Sequence, residues 1–145
     1  MDIELFVLCD AATEMGGKMN LLGTFDTITS PAMPAVHPHC ALALRLRFYR
    51  IEEGQHSVRI NIADEDGRMV VPGLEGNLMI RFGPQDRSAV ANLVLNLNQL
   101  KFDKAGEYSI NLAMDGRQEK SLPLFVKLRE KPATLPPPSK EDSPS

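Results

Sequence analysis

HCALALRLRFYRI, residues 39–51, decides the fold. Leu42, Leu44, Leu46 and Phe48 fall on one face of an extended chain, and Ala41, Ala43, Arg45, Arg47 and Tyr49 on the other. A helix would scatter those leucines around its axis, so the stretch reads as a strand with one buried face. The same period of two returns in HSVRINIAD (Val58, Ile60, Ile62), EGNLMIRF (Leu78, Ile80, Phe82) and ANLVLNLNQL (Leu93, Leu95, Leu97). It returns again in EYSINLAMD (Tyr108, Ile110, Leu112, Met114) and SLPLFVKL (Leu122, Leu124, Val126, Leu128). Turn chemistry separates these runs. Gly16-Gly17, Asp66-Gly67 and Asp115-Gly116 suit two-residue hairpins, which need positive φ, while Glu53-Gly54 and Gly83-Pro84 mark looser loops. Pro72 and Pro123 each remove a ladder donor and predict edge positions or bulges. Ser30 to Pro38, with three prolines, predicts an irregular crossing from one sheet to the other.

The first segment, IELFVLCDAATEM, alternates poorly. Asp2 could cap a helix ending at Gly16, but Leu5 to Cys9 is apolar on both faces, as a central strand is. It reads as a strand that Gly16-Gly17 turns into MNLLGTFDTI. About eight strands and no helix predict an all-β protein, an antiparallel sandwich ahead of a barrel.

The chain has 145 residues, one domain's worth, with a net charge of −3 that gives no basic surplus for nucleic acid. Hydrophobic residues at 43% and charged residues at 24% are the balance of a globular protein with a self-sufficient core. After Arg129 the composition shifts: KPATLPPPSKEDSPS holds five of the 11 prolines and no aromatic residue. Residues 1–129 are therefore expected to form the sandwich and 130–145 a disordered Pro/Ser-rich tail. The start carries Asp2 and Glu4 rather than a basic leader, and no apolar run reaches membrane-spanning length. These features lead us to expect a cytoplasmic protein without a membrane partner, in which Cys9 and Cys40 are free thiols packed as small hydrophobes.

Leu97-Asn-Gln-Leu-Lys-Phe-Asp103-Lys-Ala-Gly106-Glu-Tyr108-Ser-Ile110 resembles the approach to the sixth strand of an immunoglobulin-type sandwich. There an acidic residue, a small residue and a tyrosine make the tyrosine corner, whose hydroxyl bonds back to upstream backbone. Asp103, Gly106 and Tyr108 stand in those places. Ile110 stands where an antibody domain has cysteine, and the chain has no tryptophan, so the resemblance implies immunoglobulin-like architecture around an aliphatic core. More broadly, MDIELFVLCDAA, NLLGTFDTI, HPHCALALRLRF, DEDGR and GEYSINLAMDGR together resemble a family of short, uncharacterised bacterial β-sandwich proteins, a domain of unknown function, over residues 1 to about 127. The resemblance implies a bacterial source and a stand-alone immunoglobulin-like domain. It brings no activity, ligand or site residue with it.

Chemistry-bearing clusters are few. His37-Pro-His39-Cys40 puts two imidazoles on one side of an extended chain, where they could share a zinc or copper ion if the fold supplied further ligands. No Gly-x-Ser-x-Gly elbow or phosphate-cradling glycine motif occurs. The carboxylates of Glu52-Glu53 and Asp64-Glu65-Asp66 lie in expected loops, where exposed acids are ordinary. What remains is a surface. Arg45, Arg47, Arg59 and Arg81, with Asn61, Asn92, Asn96, Asn98 and Asn111, fall on outward strand faces and predict an Arg/Asn-rich binding face if their strands are neighbours. The leading expectation is a non-enzymatic module without cofactor. It would act through its surface or an edge strand, on another protein or on itself. The alternative is a sugar or metal site on the Arg/Asn face or in the His37-His39-Cys40 loop.

Overall fold

The computed structural model describes residues 1–130, so most of the expected tail lies outside the described residues. Among these residues nine strands follow one another: β1 (Asp2–Met15), β2 (Lys18–Thr24), β3 (Thr27–Ser30), β4 (Ala35–Tyr49), β5 (Gly54–Ala63), β6 (Met69–Ile80), β7 (Ser88–Phe102), β8 (Gly106–Met114) and β9 (Arg117–Leu128). A short 3-10 turn, Arg50–Glu52, joins β4 to β5. The strands form two sheets, β2-β1-β4-β7 and β3-β9-β8-β5-β6, so the protein is an all-β sandwich. Among the described residues no helix is long and apolar enough to cross a membrane.

The alternating runs bury the faces they were expected to bury. Leu42, Leu44, Leu46 and Phe48 are fully enclosed, and Ile60, Ile62, Ile110, Leu112, Leu124 and Val126 meet them from the facing sheet. Each such side chain contributes about 1.5–3 kcal/mol of burial free energy. Leu128 departs from its run and is exposed, because β9 ends there.

Four expectations are corrected. The strand count is nine because MNLLGTFDTI divides at Phe25-Asp26 into β2 and β3, which join different sheets. Not every pair is antiparallel: β3 runs parallel to β9, with Thr27 opposite Phe125 and Ser30 opposite Leu128. The irregular crossing is Pro31 to Pro34 alone, since Ala35 to Pro38 already belong to β4. Pro38 is tolerated because β1 pairs with β4 only as far as Ala41.

Asp66-Gly67 is the fourth. Gly16-Gly17 and Asp115-Gly116 are two-residue hairpins with positive φ throughout. Asp64 to Arg68, in contrast, form a longer loop. The Asp64 carboxylate accepts the N–H groups of Asp66 at 2.9 Å and Arg68 at 2.8 Å, and only Gly67 has positive φ. An aspartate bonding the backbone ahead of it builds its own turn, and that overrides the Asp-Gly signal. Pro72 sits on edge strand β6 where its register with β5 shifts, as expected. Pro123 lies on β9 before the stretch that β3 covers, so its missing donor deprives no neighbour.

The outer face of the four-stranded sheet is covered by the chain itself. The β1–β2 hairpin folds across it: Ala12, Met19 and Leu21 pack around Cys9, Ala41 and Ala43, which have no exposure. At the hairpin tip, Gly17 O accepts a hydrogen bond from Asn92 Nδ2 on β7 at 3.2 Å. The alanines of β4 leave the depth this flap needs.

Candidate functional site

β7 occupies one end of its sheet, paired with β4 and, among the described residues, with nothing on its other side. The pairing runs from Ala35 opposite Phe102 to Tyr49 opposite Ser88 without a register shift, and lapses only at Pro38 and the left-handed Gln99. From Ser88 to Leu100 the strand contains no charged residue, proline or glycine. Ser88 to Leu95 are all half-buried, whichever face they point to, as expected of a strand with one bare side.

The other three edges are protected. β3 is four residues long. β2 is short, begins at Lys18, and takes a left-handed kink at Gly23. There a Cβ would collide with an Asp10 carboxylate oxygen. β6 carries Pro72, Gly73, Glu75 and Gly76, and its register with β5 shifts twice. Short length, charge, proline and bulges are the usual devices that stop an edge from pairing with a foreign strand. From Ser88 to Asn98 β7 uses none of them; only its last residues carry a left-handed Gln99 and the charge of Lys101.

Beside β7 the two sheets part. A cleft of about 220 Å³ opens between β6 and β7, walled by Leu74, Leu78, Leu93 and Leu95 and floored by the core residues Val58 and Ile60. Leu74 is 41% exposed at its rim. Met15, 76% exposed, stands at the tip of the hairpin that touches Asn92. The free edge is thus bordered by apolar groups on both sides.

The expected site residues lie elsewhere or apart. Arg45 and Arg47 are neighbours on the outer face of the four-stranded sheet, and both hold Glu4, at 2.9 and 2.7 Å. Their guanidinium groups, Arg47 first, lower the Glu4 pKa. Arg47 also donates to Ser88 Oγ, and Arg45 to Asn92 Oδ1, so the pair braces β7 against β4. Arg59 is on the opposite sheet, 3.5 Å from Glu75, and Arg81 lies just past β6. The four arginines do not share a face. The asparagines divide likewise. Asn61 and Asn111 bond each other at 2.8 Å on one sheet, while Asn92, Asn96 and Asn98 lie on β7 of the other.

His37, His39 and Cys40 also diverge. His37 lies against the Phe25 ring at 5.4 Å, His39 bonds Asn98 at 2.7 Å, and Cys40 faces the core. Burial raises the Cys40 thiol pKa to about 11. Among the described residues no three His, Cys, Asp or Glu side chains stand together as metal ligands would. Tyr108 donates its hydroxyl to Lys104 O at 2.6 Å and meets Phe102 edge-on at 4.9 Å, tying the β7–β8 crossing. Gly106 has a φ of +154°, and Asp103 makes a surface contact with Lys101 at 3.8 Å.

His56, which the sequence offered with Cys9 or a carboxylate as a further ligand for His37, His39 and Cys40, lies instead beside Asp115 and Glu52. Nδ1 meets Asp115 Oδ2 at 2.7 Å and Nε2 meets Glu52 O, beside a cavity of about 280 Å³ that Arg117 and Glu119 also line. Both partners are acceptors, an arrangement that favours the imidazolium, which donates from both nitrogens. Hydrogen bonding to Asp115 and then to Glu52 O raises its pKa.

A family model described as a family of unknown function, DUF6941, matches residues 4–127. No curated protein matches the chain.

Proposed function

The chain belongs to the family of unknown function DUF6941, and from that premise we propose that it is a binding module rather than an enzyme, receiving an extended polypeptide along the free edge of β7. The observation that carries this reading is the contrast among the four edges: three are blunted, and the longest is bare and free of charge from Ser88 to Leu100. Strand addition draws affinity from main-chain hydrogen bonds and specificity from pockets for alternate side chains. The cleft between β6 and β7 is such a pocket. The ligand alternative has less support, since the Arg/Asn residues are divided between sheets and the His37 region disperses its donors.

We also take the architecture as immunoglobulin-like. Three observations support this: a hydroxyl-to-backbone bond at Tyr108, a crossing strand (β3) alongside the last (β9), and the order β9-β8-β5 beside β1-β4-β7. The free, buried Cys9 and Cys40 fit a reducing, cytoplasmic setting.

Photo-crosslinking in the producing cell tests the binding reading. A photoreactive side chain in place of Asn96, exposed on β7, is expected to capture a polypeptide. The same group in place of Gln118, on the other sheet, is expected to capture none. Equal labelling from both positions, or none from Asn96, rejects the reading.

A further inference from the structure

We propose that the polypeptide received by β7 is the β7 strand of a second copy of this chain, antiparallel to the first about a two-fold axis at Val94. This rests on β7 being an acceptor edge and adds the identity of the occupant. Two β7 edges meeting in this way would merge the two four-stranded sheets into one continuous eight-stranded sheet.

The argument is self-complementarity. In an antiparallel pair, directly opposed residues share a face, so the axis must pass through a residue. With the axis at Val94, Val94 meets its own counterpart, Leu93 meets Leu95, Ala91 meets Leu97 and Asn92 meets Asn96. Apolar opposes apolar, and Asn96 opposes an Asn92 whose amide already bonds Gly17 O and Arg45. Moving the axis to Leu93 or to Leu95 sets Val94 against an asparagine on the same face. An axis at Asn92 matches every pair from Ser88 to Asn96, but it centres the contact on an amide already held by Gly17 O and Arg45 and away from the cleft that Leu93, Val94 and Leu95 line. Only the outermost pair, Val90 with Asn98, is unmatched with the axis at Val94, and no register within Val90–Asn98 opposes like charges because the segment has none.

The surroundings of the edge fit the same occupant. Leu93, Val94 and Leu95 line the β6–β7 cleft, so an axis at Val94 centres the contact on its mouth. The exposed Met15 at the hairpin tip and Leu74 at the cleft rim flank that centre and gain cover from the second copy. Edge strands without charge or proline invite this pairing.

Native mass spectrometry of the untagged full chain is expected to show twice 16.0 kDa. A short bismethanethiosulfonate should join two copies of Val94→Cys and leave Gln118→Cys unjoined, since directly opposed Cβ atoms on neighbouring strands are about 4.5–5.5 Å apart. Val94→Lys opposes two like charges on the axis and should raise the dimer dissociation constant at least about tenfold, with an unchanged circular dichroism spectrum. If Val94→Lys fails to fold, the cysteine pair still decides. A monomer at every concentration, while the Asn96 photoprobe captures a different protein, overturns the second copy and leaves the acceptor edge standing. A monomer with no capture overturns both. A dimer joined through Gln118→Cys and not through Val94→Cys assigns the interface to the other sheet, and overturns this inference.

Discussion

Tyr108 carries more than its volume. It is 3% exposed, and its hydroxyl satisfies a carbonyl at the point where the chain leaves one sheet for the other. Tyr108→Phe keeps the ring contact with Phe102 and loses the hydrogen bond, at a cost of about 1 kcal/mol read from urea denaturation. A cost near zero would mean that water replaces the hydroxyl at Lys104 O. His56 offers a second check, with a definite sign. Its folded pKa is raised from 6.5, so its contribution is complete below that pH and is lost as the pH climbs through the folded value. The His56 hydrogen bond, then the Ser57 N–H, lower the Asp115 pKa from 3.8. The carboxylate's contribution is therefore present above that value and fades as the pH falls through the lowered one. His56→Gln should be less stable than the parent by about 1–2 kcal/mol at pH 6, and the gap should narrow by pH 9. Thermal melts of both proteins at the two pH values measure it. An equal gap at both values contradicts the imidazolium.

At the level of elements, the flap and the bare strand share the outer face of one sheet. Ala43 has no exposure beneath the β1–β2 hairpin, so Ala43→Leu pushes Met19 and Leu21 outward. We expect a loss of about 1–3 kcal/mol, with faster hydrogen exchange in residues 12–21 than elsewhere. Uniform exchange would show that the sheet, and not the flap, had yielded. The strands themselves were legible in the chain because alternation is local: Leu42 to Phe48 announce their own buried face. The division of MNLLGTFDTI was not. Its cause is a partner about a hundred residues away, Phe125 to Leu128 for Thr27 to Ser30, and no local pattern carries that.

For the whole molecule, the same limit governs the candidate site. That Ser88 to Leu100 lacks charge can be read directly, but its meaning depends on β7 being last in its sheet. The Arg/Asn face failed to assemble for the same reason: Arg45 and Arg59 are both outward, yet outward in opposite directions. Tyr108 was legible because its partner, Lys104, is only four residues away. The parallel pairing of β3 with β9 also bears on how the chain is made. At a synthesis rate of roughly 5–20 residues per second, β3 waits about 5–20 s on the ribosome before its partner emerges. β7 is complete before that wait ends, so nascent chains side by side on one messenger can present their bare edges to one another before either sandwich has closed.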